Sequence, residues 1–487
     1  MLDELASVRT SLGSPKRSDG LELPIRVASV VSALSHALDL STGQPIGHSV
    51  RSCLIGMRIA EEIGLPPEVR EDLFYALLLK DCGCSGNASK TFHALHADDL
   101  KAKRDVKTTD WTRTSWETLQ YALSHVAPGK PFLERAKALF LLAARQKAHA
   151  REVTKIRCER GSTLARLMGL SEATALGILN LDEHWDGRGN PEGLRGGEIP
   201  LFSRIMLLAQ TLEVFLVSTG VQSAVDIAYS RNRTWFDPDL VKAVNSLSKR
   251  GTVWAEAQME CANDLCLKCE PNPKIMNSSD TTLDNICMAF ANIIDAKSPY
   301  TLNHSVGVAN ATVATARMLG LPRERVLFLR HSALLHDLGK LGVSNTILEK
   351  PAKLDDSEWH VMKKHPFHTW SILRAIPGFE EMSEIAGSHH EKLDGKGYFR
   401  GVTAEHLPME ARILAIADIF DALTAKRPYR DSLPLERVFE IMGKDAPNAL
   451  DPVCLEALRQ SGAECNQTYV DLQSLNEQLT THRGPLY

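Results

Sequence analysis

Seven side chains between residues 304 and 418 have the chemistry of metal ligands: His304, the adjacent pair His336-Asp337, His365, the adjacent pair His389-His390, and Asp418. Nine of the chain's 17 histidines fall between His304 and His406. Neutral imidazoles and carboxylates are the donors that borderline divalent transition metals prefer, and this set exceeds what one ion can use. An adjacent His-Asp pair can send its histidine to one ion and let the aspartate bridge to a second. Two ions about 3.5–4 Å apart can share a water, lower its pKa, and hold the attacking and leaving oxygens of a phosphoryl centre. Lys340, four residues after His336 and expected on the same helical face, can then meet a nonbridging phosphate oxygen.

His336-Asp337-Leu338-Gly339-Lys340, followed by His389-His390-Glu391, Asp394-Gly395, Gly397-Tyr398 and Asp418, resembles the HD-GYP family of metal-dependent cyclic dinucleotide phosphodiesterases. The resemblance runs in register from about Thr281 to Leu458 and takes in Arg427-Pro428-Tyr429-Arg430 and Asp451-Pro452. It implies that His304, His336, Asp337, His365, His389, His390 and Asp418 are metal ligands, with Asp337 bridging, and that Lys340 contacts the phosphate. Tyr398 and Arg427 would shape the substrate side. Tyr300 stands four residues before the first histidine, where a three-metal variant of the family has glutamate, so two divalent ions are expected, iron or manganese. Asp421, one turn after Asp418, reads as a residue orienting a ligand or capping Arg427, and Glu391 as an acid supporting the centre. His331, His360 and His368 match no motif position and read as packing or surface histidines.

The signature loop departs from the family at Phe399, where proline is usual. Proline would preset the turn; Phe399 loosens it and adds an aromatic face. Metal binding should survive, while substrate preference and docking of a diguanylate cyclase-type partner are open to change. The implied activity is hydrolysis of a cyclic dinucleotide to a linear dinucleotide, with a further step to mononucleotide left open. Cyclic di-GMP is expected first and mixed cyclic GMP-AMP as its rival. A non-catalytic dinucleotide-binding effector is disfavoured because every ligand position is filled, and a general nucleotide phosphohydrolase because the Gly397-Tyr398 loop is present.

The elements that must position these residues read as helices. Val306, Val308, Ala309, Val313, Ala316 and Leu319 recur at three- and four-residue steps and stop at Gly320 with Pro322 beyond. Ile413, Leu414, Ile416, Ala417, Phe420 and Leu423 repeat the pattern, and no run alternates for long enough to make a convincing strand. His48-Ser49-Val50, Gly64-Leu65-Pro66, Asp81 and Gly83 reappear 256 residues on, whereas Glu183, Asp186-Gly187, Gly189, Pro200 and Ala209 reappear 208 residues on. The two offsets imply an insertion of 48 residues in the first copy, between about Lys90 and Arg157. The expected fold class is all-α, two tandem HD-type helical bundle domains. Residues 21–258 form a degenerate copy with its insertion near 91–150, 259–280 a linker, and 281–462 the catalytic copy, with tails at 1–20 and 463–487.

In the first copy the offsets place Lys80 for His336, Arg157 for His365, Leu181 and Asp182 for His389 and His390, Gln210 for Asp418, and Cys84 for Lys340. Only His48, Asp81 and Asp182 could still bind metal, and two cations stand where ligands stood. A regulatory or pairing copy is expected, packing on the catalytic one as a homodimer partner would. Lys80 and Arg157 either hold a nucleotide phosphate or pair with Asp81 and Asp182, the latter being favoured. Lys101, Lys103, Arg104 and Lys107 read as a solvated face, with no interleaved aromatic platform for nucleic acid.

With 56 Lys+Arg against 60 Asp+Glu, the chain has no cationic excess to hold nucleic acid or a membrane surface. The longest uninterrupted apolar stretch, Ala138 to Ala144, is far below the roughly 18 residues of a membrane span, and a cytoplasmic location is expected. Ten cysteines are too dilute for a disulfide scaffold, and Cys261, Cys266 and Cys269 lack a fourth ligand for zinc.

Overall fold

The computed structural model describes residues 24–110, 116–278, 280–425 and 432–461. The expected tails at 1–20 and 463–487, and Arg427-Pro428-Tyr429-Arg430, lie outside the described residues. The fold is all-α, as the periodicity predicts. Among the described residues the one sheet is a two-residue antiparallel pairing of Ile25–Arg26 with Ile275–Met276.

The helices follow the apolar stripes. His304–Met318 and Arg323–Leu335 pack on one another, and Met409–Thr424 closes against the first of them. Gly320 takes φ +73° to end the first of these helices, and Pro322 caps the next, the stop and start expected from Gly-Leu-Pro. In the first half His48–Glu62, Pro67–Leu79 and Leu201–Thr219 pack in the same way. Leu201–Thr219 is the one described helix long and apolar enough to cross a membrane, but 72% of it is buried within the protein.

The hydrophobic core is continuous from Ile25 to Leu458, so the halves share one interior rather than hanging from a hinge. Helix Val27–Ser41 of the first half packs on the 3-10 segment Leu338–Gly342 and on His365–Arg374, both of which carry predicted site residues. The stretch expected as a linker is itself built in. Helix Ala262–Lys268 packs on His48–Glu62, with Cys266 and Cys269 buried, and Ile275–Met276 pairs with the chain's first described strand. The reason is apolar content: Leu265, Cys266, Cys269 and Met276 all reach the core despite the prolines around them.

The stretch expected as an insertion is helical in its described residues, with Ala88–Leu95, Asp99–Val106, Trp116–His125 and the front of the 36-residue helix Phe132–Leu167. The basic cluster is only half solvated. Lys101 and Arg104 face water, whereas the Lys103 and Lys107 side chains are 11% and 12% exposed and turn inward. Helical period explains the split, since Asp99, Ala102, Lys103 and Val106 share one face.

Candidate metal centre

The centre is assembled from five places in the chain. His304 opens its helix, with Ser305 held by Asp295, which accepts from the Ser305 N–H at 3.1 Å and from its hydroxyl at 2.6 Å. Helix Arg323–Leu335 stops at His336, and Asp337 leads into the 3-10 segment Leu338–Gly342. The Gly339 N–H donates to Thr369 Oγ1 at 2.9 Å, and that hydroxyl donates to the His336 carbonyl at 2.9 Å. A Cβ on Gly339 would lie 2.0 Å from the His365 carbonyl oxygen, so only glycine lets this turn reach helix His365–Arg374. His389 and His390 follow helix Glu380–Gly387, and Asp418 projects from Met409–Thr424.

Four imidazoles are oriented through Nδ1, leaving Nε2 to face inward. His304 Nδ1 lies 2.7 Å from Asp421 Oδ2, and His336, His365 and His389 place Nδ1 at 2.7, 2.7 and 2.6 Å from the Ala333, Met362 and Ala386 carbonyls. A Cβ on Gly307, one turn after His304, would collide with Asp421 Oδ1 at 1.9 Å, so the close approach of this carboxylate also depends on a glycine.

Asp337 stands between two donor sets. Its Oδ2 faces His304 Nε2 and His336 Nε2, each at 3.5 Å, and Asp418 Oδ1 lies 3.2 Å from the same His304 nitrogen. Its Oδ1 faces His365 Nε2 at 3.5 Å and His389 Nε2 at 3.6 Å. His304, His336 and Asp418 can converge on one cation, and so can His365, His389 and His390. His336 Nε2 and Asp337 Oδ1 are buried with no hydrogen-bond partner, and His365 Nε2 faces His389 Nε2 at 3.1 Å. Lone pairs aimed at one another in a dry site fit a bound cation.

The electrostatics agree. Burial holds the His336 imidazole down at about 4 and lowers His365 and His390 well below the ordinary value, so these donors are neutral. Burial works against ionising Asp337 and Asp418, yet the Lys340 ammonium beside the first and the hydrogen bond from His304 to the second hold both well below the carboxylate range. His304 differs. Against burial, its hydrogen bonds to Asp418 and Asp421 raise it to about 10, so this position calls for positive charge, proton or metal.

Two placements depart from expectation. Lys340 does not share a helical face with His336, because the helix has already ended; it sits in the 3-10 turn and donates to Asp337 Oδ2. The Glu391 carboxylate is engaged by the backbone of the signature loop. It accepts from the N–H groups of Arg400, Gly401 and Val402 at 2.7, 3.2 and 3.1 Å, so what it supports is that loop. That loop sets the Tyr398 ring 4.6 Å from the His390 ring. Phe399 has φ +99° and packs on Phe367 and Trp370 at 5.6 and 5.8 Å. His331 is buried beside Asp284 at 3.3 Å, away from the cluster, as its packing role requires. Arg427 lies outside the described residues.

At the first-half positions the expected ion pairs form: Lys80 donates to Asp81, and Arg157 to Asp182. His48 Nδ1 meets Glu213, the counterpart of Asp421 at the 208-residue offset. Sequence reasoning missed Lys107. Its Nζ lies 3.0 Å from His48 Nε2 and 3.2 and 3.3 Å from the Asp81 oxygens, where a cation held by those two residues would stand. The signal available was the inward face of Asp99–Val106, which carries the chain on to Lys107.

The HD domain family profile matches residues 138–240 and 288–453. The chain is 40% identical over 435 residues to the 3'3'-cGAMP-specific phosphodiesterase 3 of Vibrio cholerae, spanning 89% of this chain and 94% of that protein. A cyclic di-GMP phosphodiesterase of Thermotoga maritima is 32% identical over 186 residues, covering 38% of this chain and 50% of its own length. A crystal structure of a cyclic GMP-AMP specific phosphodiesterase from V. cholerae (V-cGAP3) superposes with a TM-score of 0.62 at 36% identity, covering 90% of this chain and 98% of that one. With its HD turn, its paired donor sets and this span of similarity, the chain belongs to the HD domain family, as a phosphodiesterase of the HD-GYP type.

Proposed function

We propose that residues 281–462 hydrolyse a 3′,3′-linked cyclic dinucleotide, with mixed cyclic GMP-AMP ahead of cyclic di-GMP. The sequence expectation ranks these two the other way. The relative that matches across 94% of its length is named for 3'3'-cGAMP, whereas the Thermotoga relative named for cyclic di-GMP matches over half of its own. The observation that carries the activity is Asp337, with one oxygen facing His304 and His336 and the other facing His365 and His389.

His304, His336 and Asp418 would hold one divalent ion, His365, His389 and His390 a second, and Asp337 both; iron and manganese suit this donor set. Such ions supply Lewis acidity at a phosphoryl group. The chain's own residues orient and balance charge. Lys340, beside Asp337, is the cation available to a nonbridging oxygen; Tyr398 offers a ring at the mouth beside His390; Glu391 holds the loop that carries it. Arg427 is assigned to the substrate side by its motif position.

We infer that residues 21–258 form a second, non-hydrolytic HD-type unit that regulates the first. Recurrent contacts support this: Asp39 holds Ser49 as Asp295 holds Ser305, and Glu183 holds Glu192–Leu194 as Glu391 holds Arg400–Val402. The ammonium of Lys107 occupies its cation position. The shared core favours pairing of the two units within one chain over a homodimer, and the free thiols of all nine cysteines among the described residues suit a cytoplasmic setting. A diguanylate cyclase-type partner would dock at the Phe399 loop.

The test is hydrolysis of 3′3′ cyclic GMP-AMP and cyclic di-GMP by purified protein and by the His336→Ala, Asp337→Ala double variant. Wild type should prefer the mixed dinucleotide and the variant should lose both activities. Equal rates for wild type and variant would exclude the centre, and preference for cyclic di-GMP would restore the other order.

A further inference from the structure

A cavity of about 550 Å³ opens beside the first half's counterpart of the metal centre. That volume is within the range of about 300–1,000 Å³ typical of small-molecule sites. Insertion helices and the first-half bundle both contribute to it, and its body is aliphatic, with Val106, Leu119, Leu123, Leu139, Val153 and Val214 on its walls. One region is polar: Lys103, Lys107 and Arg157 line it, together with Gln210, whose amide oxygen is buried and unpartnered. An amide can present its oxygen or its NH2 to a ligand.

Charge around that polar end is unbalanced. Four ammoniums, the buried Lys80 and Lys297 and the inward-turned Lys103 and Lys107, share two carboxylates, Asp81 and Asp99. Asp39, hydrogen-bonded by Ser49 and Gly47, acts on Lys80 as a third carboxylate, Glu213 is matched by Arg51, and Asp182 by Arg157, so one ammonium remains in surplus. Lys103 donates to the Cys84 carbonyl at 2.8 Å and stands 3.7 Å from Asp99, which leaves it hydrogens to offer. A dry site with surplus positive charge favours an anion, and an aliphatic body favours a chain over a polar nucleotide.

We propose that this cavity is an effector site for a single-chain aliphatic carboxylate, its head group on Lys103 and Gln210 and its chain along the aliphatic walls. The regulatory part rests on the reading of residues 21–258 given above. Asp99 provides the route. It accepts from Lys297 Nζ at 2.9 Å and from the Asn345 N–H at 2.8 Å, next to the two segments that deliver His304 and Lys340. A carboxylate that draws Lys103 from Asp99 changes the charge on both segments.

The full-length protein is titrated with octanoate, decanoate and dodecanoate below micelle formation, following tryptophan fluorescence, since Trp235 lines the cavity. Each added pair of methylenes should tighten binding about fifteenfold, because burial of one methylene is a factor of about four. Lys103→Gln should weaken decanoate at least tenfold, and Thr154→Trp, which fills the cavity from its wall, should abolish binding. Affinity independent of chain length, decanoate binding unchanged in both variants, or cyclic GMP-AMP binding here in place of decanoate would overturn the proposal. Binding is read without substrate. A protein that binds decanoate but hydrolyses no cyclic dinucleotide keeps this site and loses the phosphodiesterase reading, and one that hydrolyses but binds no decanoate does the reverse.

Discussion

His304 Nδ1 lies 2.7 Å from Asp421 Oδ2, and this contact determines which nitrogen His304 can offer to the centre. With Nδ1 engaged, Nε2 faces Asp337 and Asp418. Partners that lock a ligand histidine in this way typically affect metal affinity or activity by about 10–100-fold. Asp421→Asn should therefore cost about that factor in metal affinity with the fold retained, as metal titration and circular dichroism would show. Wild-type affinity in the variant would mean that His304 is held by its helix alone.

Because Asp337 faces histidines of both donor sets, the ligand variants should differ in kind. Asp337→Ala should lose both ions and nearly all activity, by about a thousandfold or more, whereas His365→Ala should retain the ion at His304, His336 and Asp418. Elemental analysis of protein purified without chelator should give close to two, zero and one ion per chain for wild type, Asp337→Ala and His365→Ala. A value near one for wild type would remove the two-ion reading drawn from Tyr300.

The candidate donors are legible in the sequence because their order matches the HD-GYP motif, and the all-α class because the apolar stripes are long. What escaped were contacts between parts of the chain far apart in sequence. Lys340 was readable as a neighbour of His336 but not as a 3-10 residue, since Thr369 captures the Gly339 N–H only in the folded protein. Lys103 and Lys107 look like solvent charges until Asp81, His48 and the buried Asp99–Lys297 pair are brought to them. The stretch 259–280 reads as a linker by its prolines, yet Met276 finds Ile25 at the opposite end of the first half.

Lys107 provides a test of the reading of the first-half cluster around His48 and Asp81. Removing one partner of a buried ion pair costs about 3–5 kcal/mol, and Lys80 remains on Asp81 to offset part of that. Lys107→Met should lower stability by about 2–3 kcal/mol in urea denaturation and leave the metal content of the protein unchanged. An additional bound ion in this variant would show that Lys107 alone keeps the first-half position from binding metal.

Phe399 departs from the family's proline with a backbone that proline cannot adopt, since φ is +99° and the ring of proline holds it near −65°. Phe399→Pro should rearrange the loop that places Tyr398 over His390, raising KM for the dinucleotide while two ions remain bound. Phe399→Gly removes backbone strain of roughly 1–2 kcal/mol but also the packing on Phe367 and Trp370, so its KM should rise less. An unchanged KM in Phe399→Pro would detach substrate binding from this loop.

Acid sensitivity should trace in part to His184. Its ring is stacked on Trp235 at a centroid distance of 4.0 Å, and burial, with Arg231 nearby, lowers its pKa to about 3. In the unfolded chain the same imidazole titrates near 6.5, so between these values the unfolded state binds the extra proton. Stability from this residue is fully present above about pH 6.5 and is lost progressively as pH falls toward 3, with a contribution of about 2 kcal/mol gone by pH 5. His184→Phe keeps a ring to stack on Trp235 and has nothing to protonate, so its stability should fall less than that of wild type between pH 7 and 5. Parallel losses in the two proteins, measured by urea denaturation at each pH, would place the acid sensitivity elsewhere.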